Sequence, residues 1–353
     1  MTSTMRAVVY DRIGERPRIA RVAVPACPRD GAVVRVEATG VCRSDWHAWR
    51  GHDAVPLPMV PGHEFAGVVE TVGEGVAAFA VGDRVTAPFV NGCGHCLWCR
   101  SGNAQVCPDQ TQPGFTRDGS FAEYVVVTAA DTNLVRLPDA VGFAAAAALG
   151  CRFATAFRAL TAHADVRPGI EVAVFGCGGV GLSAVMIAAA LGARVTAVDV
   201  TDAALGRARA LGAGRGILAT GDEADPDATA RAVIAATGGG AHVTVDAVGS
   251  AGTAASAVRS VRRQGTHVQV GLMLGGNATA PMPWDRVIAH ELRVVGSHGM
   301  SARDYPAMLA MIEDGRLDPA RLIGATTDLE GAIDALVAMD APPSTPGIVI
   351  ARP

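Results

Sequence analysis

Four cysteines crowd one short stretch, Cys93, Cys96, Cys99 and Cys107, with two-residue spacers between the first three. A tetrahedral Zn²⁺ takes four soft ligands at about 2.3 Å, and two-residue spacers let tight turns point successive sulfurs at one centre. His95 sits inside the same stretch and offers an alternative fourth ligand. Four thiolates leave no position open for water, so a metal held by them serves folding and not chemistry. A second set is dispersed: Cys42 in Gly40-Val41-Cys42-Arg43-Ser44-Asp45-Trp46-His47, His63 in Pro61-Gly62-His63-Glu64, and Cys151 after Leu149-Gly150. Two thiolates and one imidazole hold Zn²⁺ at three positions and leave the fourth for water or a substrate oxygen.

A third constellation is built of glycines. The apolar run 172–175 enters Gly176-Cys177-Gly178-Gly179-Val180-Gly181 and then an apolar stretch of helical length. Glycines permit a tight turn and close approach of backbone N–H groups to a pyrophosphate at a helix N-terminus. Eighteen residues after Gly181 comes Asp199, at the end of the next predicted strand. A carboxylate there accepts hydrogen bonds from adenosine ribose hydroxyls and repels a 2′-phosphate, and neither Val200 nor Thr201 supplies a cation for one. The pattern predicts NAD in preference to NADP.

Taken together, the chain is similar to the zinc-dependent alcohol dehydrogenases of the medium-chain dehydrogenase/reductase superfamily. The Cys-Arg-Ser-Asp-x-His block, the Gly-His-Glu block, the four-cysteine lobe and the glycine fingerprint occur in that family's order. The resemblance implies a catalytic zinc on Cys42, His63 and Cys151, a Glu64 at or near the metal that can ligate it transiently, and an Asp45 that orients the zinc-bound imidazole. That last role agrees with the general effect of a carboxylate on a ligating histidine. It also implies that Arg43 touches the cofactor pyrophosphate, that Ser44 contacts the alcohol oxygen, and that His47, with a pKa near 6.5, accepts the proton farther out. Phe89 resembles a position lining the substrate channel, with Trp49, Phe115 and Met300 as companions, which suggests a mostly apolar alcohol or aldehyde. Polyol-type relatives commonly carry Glu where Cys151 stands, so the thiol leans toward the alcohol branch. Relatives often place a cation before the last strand, whereas Pro346-Gly347-Ile348-Val349 carries none.

The expected activity is therefore hydride transfer between an alcohol, or its aldehyde or ketone, and NAD. A polyol or amino-alcohol dehydrogenase and a non-catalytic NAD-binding relative are the competing readings. A zinc-free reductase would not be expected to keep all seven metal ligands together.

Residues so far apart need a scaffold that gathers them. The 353 residues, half of them hydrophobic, exceed one usual core, so two domains with room for a cleft are expected. Short β-rich runs at 5–10, 32–38, 64–72, 84–87 and 123–127 predict a twisted β domain over 1–152, which the family resemblance implies is GroES-like. From 153 to 295 strand and helix alternate, with strands at 171–175, 194–199, 243–246 and 266–270 and helices at 180–191, 203–211 and 254–261. This predicts a doubly wound parallel sheet, a Rossmann cofactor domain. Helical stretches at 304–315 and 329–339 and a strand at 348–351 are expected to return to the first domain over 296–353. The alanine run 144–148 reads as a close-packed helix.

Net charge −4 without like-charge blocks gives no footprint for nucleic acid or an anionic membrane. Residues 1–11 lack a signal-peptide core, and the longest apolar stretch, 180–193, falls short of a span. Thiols clustered for metal in a long chain point to a reducing, cytoplasmic setting and not to disulfides. The expected partners are a small-molecule substrate and further copies of the chain, in a homodimer or homotetramer.

Overall fold

In the computed structural model, residues 3–219, 226–341 and 347–353 are described. The chain forms two compact units, Met1–Ala154 with Gly299–Pro353, and Thr155–His298.

The first unit is a β structure organised on the ten-residue strand Ala32–Val41, whose side chains are nearly all buried. It pairs antiparallel with Glu64–Val72, Tyr124–Val127 and the terminal strand Ile348–Ala351, the last in the register Val349↔Val41. Valines fill both faces because both are covered. Val34, Phe65, Val69, Val85 and Val125 pack one core, while Tyr10, Trp49, Met59, Phe121 and Leu336 pack another. The strand Arg18–Ala23, which pairs with Thr4–Val9, gave no hydrophobic alternation to find it by. The alanine run forms the helix Phe143–Ala147, with Ala146 and Ala147 fully enclosed. It runs into a wide π-helical turn, Leu149–Phe153.

Among the described residues the second unit carries six strands in the spatial order Arg215–Leu218, Arg194–Asp199, Glu171–Phe175, Ala241–Asp246, Val261–Gln269 and Arg293–Gly296. All neighbours are parallel. In chain order this is 3-2-1-4-5-6, the dinucleotide-binding arrangement, which places its switch point beside Glu171–Phe175. One expected helix differs. The stretch predicted over 254–261 is the helix Ala251–Arg259, started by Ser250, whose Oγ accepts the Thr253 amide at 3.2 Å. Val261 already belongs to the next strand.

Candidate metal centre and cofactor loop

Cys42 lies where the strand Ala32–Val41 ends, at the N-cap of the helix Arg43–Trp49. In the first turn of that helix the buried Asp45 folds back, and its Oδ2 accepts the Cys42 amide at 3.0 Å. Its Oδ1 accepts the Gly62 amide at 3.1 Å and stands 2.7 Å from His63 Nδ1. Gly62 has φ +103°, and a Cβ there would meet the Phe121 ring at 2.4 Å, so the turn presenting His63 demands glycine. With Nδ1 committed to Asp45, His63 has its Nε2 buried and without a hydrogen-bond partner. The π-helical turn carries Cys151. One ligand atom each from Cys42, His63, Glu64 and Cys151 falls within 4.8 Å of the others.

Sequence reasoning missed Arg152. Buried itself, it clasps the fully buried Glu64, donating its amide and Nε to Oε1 at 3.1 Å each and a further guanidinium contact to Oε2. Its signal was there, as the lone charge in the apolar run 143–157. Glu64 is thus an ion-pair partner of Arg152 as well as a neighbour of the ligand cluster. Burial still pushes the Glu64 pKa up, against the pull of Arg152. A hydrogen bond from Cys151 holds the Cys42 thiol well below its ordinary value, with Arg152 and His63 adding to this, and Cys151 is raised in turn. Burial opposes charge on His63, but Asp45 more than offsets it. An orphaned imidazole nitrogen beside two thiols, with the nearby carboxylate already paired, fits a zinc site of three protein ligands.

The outer residues fall out differently. Ser44 is half-buried in the first turn of the helix Arg43–Trp49, and His47 follows on the same helix. His47 Nδ1 lies 2.8 Å from Nδ1 of His52. Its pKa is lowered, by burial first and by His52 next, so the unperturbed value expected from sequence is corrected. Arg43 donates to the Met339 carbonyl at 2.6 Å and stacks over Trp46 at 4.8 Å. The substrate-pocket assignment of Trp49 is also corrected. It is 2% exposed, packs with Tyr10, Met59 and Phe121, and gives its indole N–H to the Glu15 carbonyl at 2.6 Å. Phe89 and Phe115, by contrast, set ring edges against His63 at centroid distances of 6.0 and 5.2 Å. Met300 is buried in the same unit.

The four-cysteine lobe holds its sulfurs within 4.8 Å of one another, none in a disulfide. The amides of Cys93, Cys96 and Cys99 each donate to a cysteine sulfur, Cys107, Cys93 and Cys96 respectively, at 3.4 Å. His95 Nδ1 lies 3.7 Å from Cys93 Sγ, outside the four-thiol set. Donors aimed at converging sulfurs stabilise thiolates, as a metal requires.

In the second unit the strand Glu171–Phe175 turns at Gly176, φ +86°, where a Cβ would meet Val248 at 2.4 Å. A Cβ on Gly181 would lie 1.7 Å from the Gly176 carbonyl oxygen, so the turn and the helix can touch there only because residue 181 is glycine. At Gly178 nothing comes within 4 Å of an added Cβ, leaving the N-terminus of the twelve-residue helix Gly179–Ala190 open to a phosphate. Asp199 closes the next strand; its Oδ2 accepts the Cys177 amide at 2.7 Å and Oδ1 the Thr201 amide at 3.0 Å. Cys177 is buried, and its thiol is pushed up to about 12 by burial and by Asp199, which disfavours the thiolate. Gly347 to Val349 carry no cation, and Pro346 lies outside the described residues.

Comparison with known proteins agrees with this geometry. Residues 28–139 match the alcohol dehydrogenase GroES-like domain, and residues 179–314 match the zinc-binding dehydrogenase family. An alcohol dehydrogenase of Geobacillus stearothermophilus is 35% identical, covering 89% of this chain and 90% of its own. A solved NAD-dependent alcohol dehydrogenase shares 32% identity and superposes with a TM-score of 0.86 over 99% of this chain and 100% of that one. A cobalt- and zinc-bound thermostable alcohol dehydrogenase from Pyrobaculum aerophilum shares 27% identity and a TM-score of 0.85 over 99% and 100%. With both halves matched and similarity running nearly end to end, the chain belongs to the zinc-dependent alcohol dehydrogenases of the medium-chain dehydrogenase/reductase superfamily.

Proposed function

We propose that Cys42, His63 and Cys151 hold the catalytic zinc of this alcohol-oxidising enzyme, that Cys93, Cys96, Cys99 and Cys107 hold a structural one, and that NAD binds along Gly176–Gly181 with Asp199 at its ribose. The observation that carries the reading is the buried, unpartnered Nε2 of His63 beside two thiols. When bound, zinc polarises the alcohol oxygen so that it loses its proton near neutral pH, and NAD accepts the hydride.

The chain's own residues do the rest. Asp45 fixes the tautomer and plane of His63, so Nε2 keeps its lone pair directed inward. Arg152 neutralises Glu64, which keeps the local charge balance from excluding an anionic oxygen. The rings of Phe89 and Phe115 exclude water around His63 and favour an apolar substrate. Ser44 takes the substrate proton and hands it toward His47, whose lowered pKa makes it a weaker base than a free imidazole but a faster donor onward. The Asp199 carboxylate disfavours a 2′-phosphate, which supports NAD over NADP.

Eight unbridged thiols support a reducing, cytoplasmic setting. Among the described residues no helix is long and apolar enough to cross a membrane. Exposed Trp284 and Ile288, on one short helix, support a homo-oligomer.

The test is Cys151→Ala. Alcohol oxidation should fall to background while NADH fluorescence titration is unchanged, because the glycine loop belongs to the second unit. Retained turnover, or lost NADH binding with both zincs in place, refutes the ligand assignment.

A further inference from the structure

His47 does not end its chain of polar groups. Its Nδ1 is 2.8 Å from Nδ1 of His52, and the His52 amide donates to the His47 carbonyl at 2.9 Å. The Trp46 ring stands edge-on to both imidazoles, at 4.9 and 5.2 Å, and is itself pinned by its indole N–H on Asp340 at 2.8 Å. His47 is half-buried and His52 exposed, so the pair spans from interior to water. Beyond His52, the charges acting on His47 are Asp53, Arg43 and Cys42; the first and last favour its protonated form, and Arg43 opposes it.

Two Nδ1 atoms at that separation share one hydrogen, one ring donating and the other accepting through its lone pair. When His47 is the donor, its Nε2 is bare. That is the tautomer a proton acceptor needs, and the His52 contact accommodates it.

We propose that His52 is a positioning residue that also carries the reaction's proton outward, the last member of the path Ser44, His47, His52, water. The proposal rests on reading Ser44 and His47 as the relay. His47 gains a proton at Nε2 and gives its Nδ1 proton to Nδ1 of His52, which then loses its own Nε2 proton to water. One proton enters and one leaves, with no change of net charge on the pair. Exchange with water then resets the pair: His47 loses its Nε2 proton and gains one at Nδ1, while His52 loses its Nδ1 proton and gains one at Nε2. Carbonyl reduction runs the same steps backward.

The test separates positioning from transport. In His52→Gln the amide oxygen still accepts a hydrogen bond from His47 Nδ1 but cannot carry a proton onward. Holoenzyme is mixed with alcohol and NAD in dilute buffer, proton release is followed with an indicator dye, and NADH formation by absorbance. The variant should bind NADH normally, release the proton about tenfold more slowly, and regain the wild-type rate with added imidazole, since solvent replaces an outer relay member only in part. Its pH profile for alcohol oxidation should shift as well. Wild-type proton release in His52→Gln, with Ser44→Ala and His47→Gln both slow, overturns this proposal and leaves the inner relay standing. A slow His52→Gln that ignores imidazole and keeps the wild-type pH profile also overturns it, because the residue then acts on structure alone. If Ser44→Ala and His47→Gln also run at the wild-type rate, the relay falls and the proposal with it.

Discussion

Cys107→Ser tests the four-cysteine lobe. Within 93–107 the only buried residues are Ala104, Gln105 and Cys107, while Leu97, Trp98 and Val106 stand 76%, 49% and 45% exposed. At about 0.8 kcal/mol per buried methylene, a methyl and a thiol contribute roughly 1–2 kcal/mol. Regular structure adds little, as the lobe holds one helical turn, Leu97–Arg100, and one 3₁₀ turn, Ala104–Val106. A structural zinc on four ligands supplies on the order of 10–16 kcal/mol in small peptides, so metal outweighs packing several-fold. Serine keeps the shape of cysteine but is a poor zinc ligand. The variant should lose one of two zincs per chain and at least about 3 kcal/mol of stability, most of it within this lobe. Metal analysis of the dialysed protein and a thermal melt measure both. A variant that keeps two zincs and the wild-type Tm shows that the sulfurs converge for another reason.

Cofactor choice is tested by Asp199→Gly with Val200→Arg, where Val200 is 72% exposed and free to reach a 2′-phosphate; kcat/KM should swing toward NADP, and a wild type already preferring NADP refutes the role of Asp199. Ser44→Ala should slow alcohol oxidation by about 10²- to 10⁴-fold with both zincs retained, and more than His47→Gln does, since solvent reaches the outer position more easily; an unchanged rate with hydride transfer limiting, judged by a deuterium isotope effect, removes the relay. Glu171 is buried, which raises its pKa, but Arg194 and Arg215 hold it below its ordinary 4.5 overall. Its stabilisation is therefore full above that value and lost as pH falls through the folded-state pKa, so the Tm gap between wild type and Glu171→Gln should be open near pH 7 and close in acid once pH passes below the folded-state pKa; a gap constant with pH refutes it.

What could be read from sequence depended on how local each feature is. The spacers of the four-cysteine lobe are short, so little freedom remains in where the sulfurs point. The strand ends at Phe175 and Asp199 were legible because buried parallel strands are continuous apolar runs. Arg152 was not, since its meaning depends on Glu64, 88 residues away. The two tryptophans of the helix Arg43–Trp49 show the limit most clearly. Three residues apart, Trp46 leans toward the surface on Asp340 and Trp49 plugs the core, and no pattern in seven residues says which face turns inward. The His47–His52 contact was equally hidden, because it requires the chain to leave the helix and fold back.

The three hydrogen bonds gathered by Asp45 bear on how metal comes and goes. A single carboxylate ties the Cys42 amide, the Gly62 amide and the His63 ring together, and these bonds are made by the protein alone. The ligand segments around His63 therefore keep their arrangement whatever ion is present. Exchange at this centre becomes a matter of swapping one tetrahedral-tolerant ion for another inside a standing frame, with no refolding step in the way. In the four-cysteine lobe the bonds the protein makes run from amides to the ligating sulfurs themselves, so an ion leaving it removes the charge that holds those sulfurs together. Mild chelation followed by reloading should thus give hybrid molecules, with the foreign ion entering first at the buried centre.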